Sequence, residues 1–377
     1  MYWFMILTVF QSWQLGLPMP TPRYGYGIGV VANKIYVIGG YNDSIILDEV
    51  EVYDPIANNW DTISEKLPTP RYDVGSAVYD GKIYIIGGRT GPYSNTSVIE
   101  RFDPMTHTWD TVRSLPEPRA ALGACVYVDY IFAVGGYHWD SLLVYYENKV
   151  EYYAPTWDSG WYRADSLNIP RSNLGVTVFN NRIYALGGNY YGPLNSMEFY
   201  VFDNWGITEP MFHSRSGVGV ASYGDHIYAI GGEDDSIILS SVDVFYGQDS
   251  TWIAGPPLNQ ARTNFGVAIV SDTIYVIGGH GRVNVLNSME YHPLPLTGID
   301  ESETLELEPS YLFPTHVRKG TTIDFAAGDV IKVYNSIGAL VVEDKNSIRM
   351  DLPEGIYFIR LHRRNYPVVT HKIIVVR

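Results

Sequence analysis

An arginine followed four residues later by a glycine, and seventeen residues later by the second glycine of a Gly-Gly pair, recurs six times along this chain. The arginines are Arg23, Arg71, Arg119, Arg171, Arg215 and Arg262, and the pairs close at Gly40, Gly88, Gly136, Gly188, Gly232 and Gly279. Successive arginines lie 48, 48, 52, 44 and 47 residues apart. A period of that size suits one small antiparallel sheet per repeat, and sheets repeated about an axis form a closed propeller.

The repeat at 71–109 reads as four strands. Residues 74–79 alternate small and β-branched side chains, and Asp80 and Gly81 form a tight hairpin signal. "KIYIIGG" is a buried strand, "SVIERFDP" alternates and stops at Pro104, and "THTWDTV" carries Trp109 on the outermost strand. The glycine pair is expected where inner strands crowd toward the axis and a Cβ would obstruct them. Trp13, Trp109, Trp161, Trp205 and Trp252 stand ten residues before the next arginine, and Trp60 eleven. Such a ring can cover the sheet face that meets the neighbouring blade.

The pattern "PR…G…V…IYVIGG…VEVYDP…W" resembles the kelch repeat in six copies over residues 11–293. The resemblance implies an all-β, six-bladed propeller. The sixth repeat ends at "NSMEYHP" (287–293) without a tryptophan, while Trp13 precedes the first arginine. The N-terminal strand near residues 12–15 is therefore expected to complete the sixth blade and close the ring, removing free sheet edges.

Charge divides the chain. Residues 309–377 hold ten Lys+Arg against six Asp+Glu, a net of +4, so the whole-chain −15 leaves −19 on residues 1–308. A propeller this acidic does not suit nucleic acid. The single cysteine, Cys125, excludes an internal disulfide framework. Residues 1–10 contain an apolar run, "YWFMILTVF", that reads as the remnant of a signal peptide without its basic start and is too short to span a membrane. Residues 294–308 read as an acidic linker, and 309–377 as a small antiparallel, Ig-like β-sandwich. "VYNSIGALV", "LPEGIYFIRL" and "HKIIVVR" in that tail resemble the type A sorting domain of type IX (Por) secretion substrates, although "FPTHV" (313–317) stands where the family opens with Pro-Asn-Pro. The resemblance implies export to the outer cell surface or medium of a bacterium, with the type IX machinery as a partner.

The start of each first strand and the end of each second strand share one end of the propeller, so residues just after the arginines and the glycine pairs should crowd one mouth. Candidate ligand-binding residues there are Tyr41, Asn42, Arg89, Tyr137, His138, Trp139, Asn189, Tyr190, Glu233, Asp234, His280 and Arg282 after the pairs, with Tyr72, Asn173 and Asn264 after the arginines. Aromatic faces, amides and carboxylates suit a glycan or a polar peptide. The loop at 137–148 is the longest of its kind and marks the same face. No catalytic residue, metal ligand or cofactor is expected. The competing reading is a secreted enzyme on sialic acid or a related sugar, with Arg89, Arg282 and Glu233 as clamp and catalyst. Cys125 occupies a position that other repeats give to small packing residues, and the six equivalent arginines read as structural.

Overall fold

Each repeat's alternation of small, β-branched and aromatic residues resolves into one twisted four-stranded sheet in a computed structural model of the chain. It describes residues 12–140, 143–156, 160–201, 204–247 and 249–294, and the strands named below between 316 and 376. The chain divides into two compact units, Met1–Thr297 and Gly298–Arg377.

The first blade is Gly27–Val31, Lys34–Ile38, Val50–Asp54 and Asn59–Ile63, hydrogen-bonded antiparallel in chain order. We call these positions strands a to d. Blades 2 to 5 repeat the order, their a strands being Gly75–Tyr79, Gly123–Tyr127, Gly175–Phe179 and Gly219–Tyr223. The a strands of neighbouring blades touch, which places them around the axis. The a–b turns bend through left-handed pairs such as Asp80 and Gly81, Ala32 and Asn33, and Asn180 and Asn181, the geometry a two-residue hairpin needs to match strand twist.

Blade 6 is built from both ends of the propeller sequence. Gly266–Val270, Thr273–Ile277 and Met289–Pro293 supply three strands, and Gln14–Leu15 adds the fourth by pairing with Tyr291 and Glu290. The six tryptophans then become equivalent. Each donates its indole N–H to a backbone carbonyl of the preceding blade at 2.9–3.3 Å: Trp13 to Pro256, Trp60 to Leu17, Trp109 to Glu65, Trp161 to Arg113, Trp205 to Asp165 and Trp252 to Glu209. Each ring also packs in the apolar cluster between its own blade and the one before.

The glycine pairs have a different reason from the one expected. They end strand b, which is second from the axis, and what they meet is the neighbouring blade. The second glycine of each pair donates its N–H to the carbonyl of the next arginine, at 2.8–3.0 Å in all six blades. Both glycines take positive φ, for example 59° at Gly187 and 95° at Gly188. A Cβ on Gly187 would lie 2.5 Å from the carbonyl oxygen of Arg215. Left-handed backbone and close approach coincide, so only glycine fits.

In the C-terminal unit a five-stranded sheet runs in the order His316–Arg318, Val369–Val376, Gly355–His362, Val330–Asn335, Leu340–Lys345, beside a separate pair, Thr322–Asp324 with Ser347–Arg349. The expectation of a wholly antiparallel unit is corrected at one edge: His316–Arg318 runs parallel to the last strand, because the opening strand joins the far edge of the sheet instead of pairing with its sequence neighbour. The apolar run at 2–10 and residues 295–308 of the expected linker lie outside the described residues.

Ring closure by the N-terminal strand makes Trp13 as structural as any internal tryptophan. Trp13→Ala is expected to cost about 3–5 kcal/mol, matching Trp205→Ala to within roughly 1 kcal/mol in urea unfolding. A near-neutral Trp13→Ala would refute the closure.

Candidate docking face at the propeller mouth

The mouth is organised by the residues that follow each arginine. In all six blades the next residue bridges to the residue after the glycine pair: Tyr24 with Tyr41, Tyr72 with Arg89, Ala120 with Tyr137, Ser172 with Asn189, Ser216 with Glu233, and Thr263 with His280. One residue further on, Gly25, Asp73, Ala121, Asn173, Gly217 and Asn264 all take φ between 50° and 63°. Their backbones form a closed ring. Ala121, Asn173, Gly217, Asn264 and Gly25 each donate an N–H to the equivalent carbonyl of an adjacent blade at 2.7–3.0 Å, and Val74 completes the circle to Gly25 at 3.4 Å. Asn173 and Asn264 therefore serve this annulus with their main chains. Asn and Asp tolerate the left-handed region better than most residues.

The side chains of blades 1 to 3 fill their part of the mouth. Tyr41 stacks on Tyr72 with ring centroids 5.0 Å apart, and Tyr24 sets its ring edge-on to Tyr41, Tyr72 and His280. The Arg89 guanidinium lies 4.9 Å over the Tyr72 ring and 3.6 Å from Asp73. Burial pushes the Asp73 carboxyl up to about 6, against the opposing pull of Arg89 and Tyr137. The His280 ring nitrogen is 3.6 Å from Asp43. Burial also raises Glu233, while His280 lowers it.

Residues 137–148, read from sequence as a loop, contain a two-stranded ribbon, Tyr137–Asp140 with Leu143–Tyr146. Its strict alternation separates neighbouring candidates. Tyr137 and Trp139 pack with Ala120, Ala121, Val144 and Tyr146 on one face. His138 lies on the other, stacked on Tyr145 at 5.1 Å and 2.7 Å from Glu147. Tyr93, in the turn of a short blade 2 ribbon (Arg89–Gly91 with Ser94–Asn95), meets Trp139 edge-on, and Tyr146 meets Tyr190 and Tyr191 of blade 4. The candidates thus lie at one end of the ring, and two of them also shape its loops. Asn42 and Asp234 each accept two backbone N–H groups of their own loop, from Ser44 and Ile45 and from Ser236 and Ile237, so they shape turns. The same sequence, "DSIIL", stands at 43–47 and 235–239 and takes part in this turn in blades 1 and 5.

The clamp on a sugar acid is not assembled. Arg89 is held by Asp73, Tyr72 and the Pro92 carbonyl, while Arg282 is exposed on the blade 6 loop. Cys125 is core, packed with Phe132, Leu174 and Ile183, and burial pushes its thiol up. Among the described residues no three of His, Cys, Asp or Glu converge as a metal site.

Two features at this face escaped the sequence reading. Asp73 follows its arginine as the other mouth residues do, but its pairing with Arg89 and Tyr137 is visible only in the structure. The second is a crown of exposed apolar tips, at least one per blade: Ile45 (58% exposed), Tyr93 (66%), Leu143 (62%) and Tyr145 (44%), Tyr190 (40%) and Tyr191 (81%), Ile237 (50%) and Val283 (90%). Their positions at the tips of loops after each glycine pair were legible, but their common exposure is a property of the closed ring.

The KLHDC2/KLHL20/DRC7 Kelch-repeats domain matches residues 8–188, and the Kelch motif matches 214–259 and 261–291. This chain is a kelch-repeat propeller. Kelch-like protein 25 of Homo sapiens is 37% identical over 62 residues, 14% of this chain and 10% of that protein. The F-box/kelch-repeat protein At5g26960 of Arabidopsis thaliana is 40% identical over 60 residues, 15% and 14% of the two chains. Kelch-like protein 41 of Homo sapiens is 36% identical over 67 residues, 17% and 11%. The kelch propeller thus matches only a tenth to a seventh of these relatives' lengths.

Asp73 makes the kelch mouth sensitive to pH. Its folded-state pKa of about 6 lies above the ordinary 3.8, so its contribution to stability is fully present below the unfolded value and is lost as pH rises through the folded one. Relative to Asp73→Asn, the parent chain is expected to lose stability between about pH 4 and pH 7. Parallel melting curves for the two proteins across that range would contradict the assignment.

Proposed function

We propose that this propeller is a protein-docking module that engages a peptide segment of its partner at the mouth. The crown of apolar tips carries the reading. Exposed apolar side chains in a ring around a polar centre suit a protein surface, where apolar anchors and excluded water supply affinity. A glycan would use the stacked tyrosines but has little use for Ile45, Ile237 and Val283. Kelch propellers are typically protein-binding modules, which supports the same choice. Residues 309–377 are proposed to be the sorting domain that carries the propeller through type IX secretion to the cell surface or medium. Two observations support this: the +4 against −19 charge split, and the fall of the three matching segments on strands of one sheet.

Parallel peptide and glycan arrays probed with the full chain test the docking reading. Peptide binding is expected, weakened roughly tenfold, or about 1.4 kcal/mol, in a Tyr191→Ser, Val283→Ser double variant. Glycan binding indifferent to those substitutions would overturn it. For the tail, a signal peptide–reporter–(309–377) fusion is expected to reach the surface of a host with the type IX machinery. A reporter retained in the periplasm would remove the sorting assignment.

A further inference from the structure

The mouth is asymmetric, and its emptier half has unmet chemistry. In blades 1 and 2 the residue after the arginine is a tyrosine, and those rings occupy the space above the annulus. In blades 4 and 5 the same position holds a small buried side chain, Ser172 or Ser216, each 1% exposed, bridged to Asn189 and Glu233. The Asn189 Oδ1 is buried and accepts no hydrogen bond. Glu233 takes part in none of the salt bridges among the described residues; burial penalises its charge and His280 offsets only part of that.

We propose that this half of the mouth takes a cationic side chain, the ammonium of lysine or the guanidinium of arginine, from the docked partner. The inference rests on the reading of the mouth as a peptide-docking face. The half-buried Glu233 carboxylate accepts the donors that these cations supply in number without bringing an acceptor, and the Asn189 Oδ1 on the adjacent blade lacks one as well. The flank is suited to positive charge. Tyr190 and Tyr191 offer ring faces beside Tyr146 on one side, and aromatic faces attract cations. Asp234 and Asp235 follow Glu233 on the blade 5 loop. The net −19 of residues 1–308 adds long-range attraction. Blade 2 cannot serve the same role, because its Arg89 already neutralises Asp73.

The test is selection of short random-sequence peptides by phage display against the full chain, followed by synthesis of a recovered peptide with each arginine replaced by citrulline and each lysine by acetyl-lysine. Recovered sequences are expected to be enriched in Arg and Lys, and the neutral replacement to weaken binding at least about tenfold. Glu233→Gln is expected to abolish most of that difference while leaving the melting temperature unchanged. Peptides that bind with no such enrichment, or that tolerate the neutral replacement within about twofold, overturn the cation site and leave the docking face standing. Recovery of no peptide, or of peptides indifferent to the Tyr191→Ser, Val283→Ser double variant, overturns the docking face and the cation site with it.

Discussion

Six buried arginines hold this ring together, each bonded to its own blade and its neighbour at once. The guanidinium binds a carboxylate on strand c of its own blade: Glu51 at 2.9 Å for Arg23, Glu100 for Arg71, Glu151 at 2.7 Å for Arg119, Glu198 at 2.5 Å for Arg171, Asp243 at 2.9 Å for Arg215 and Glu290 at 2.8 Å for Arg262. In four blades it also donates to the carbonyl of the first glycine of the pair. Meanwhile the arginine's own carbonyl accepts from the glycine pair of the preceding blade. A buried ion pair is costly unless every remaining polar atom is engaged. Glu198 meets this best, accepting also from the backbones of Asn168 and Ile169, whereas Arg71 Nε, Arg119 Nε and Nη1, and Arg215 Nε are buried without a hydrogen-bond partner. Burial pulls the Arg171 guanidinium's pKa down and Glu198 pulls it back up.

With the frame built this way, the mouth is free to vary. The annulus of left-handed residues and the bridges beside it are made by the main chain, so they constrain backbone and leave side chains open. Tyr41, Arg89, Tyr137, Asn189, Glu233 and His280 occupy one structural position with five different side-chain chemistries. A protein that must keep six blades in register and still present a particular surface can do both, since different atoms of the same residues carry the two tasks.

The frame was legible in the sequence because each of its parts recurs at fixed spacing: the arginine, the glycine pair, the tryptophan, and the displaced Trp13 that betrays closure. The strand c carboxylates recur as faithfully, in "VEVYDP", "IERFDP" and "VEYYAP", yet went unassigned, since alternation alone makes Glu51 or Glu100 look solvent-facing. Only the partner arginine, 27–32 residues away in chain and buried beside it, explains the acid. The mouth was legible as a place and not as an arrangement. Period 2 in the blade 3 ribbon sends His138 away from Trp139, and one oxygen each of Asn42 and Asp234 is committed to a turn. Neither follows from position after a glycine pair.

A double-mutant cycle at Arg171 and Glu198 tests the central role of the buried pair most directly. Arg171→Met and Glu198→Leu are each expected to cost about 3–5 kcal/mol in equilibrium unfolding, by stranding a buried charge. The double variant is expected to cost less than their sum by roughly 2 kcal/mol or more. Single changes worth under about 1 kcal/mol, or strict additivity, would contradict the account.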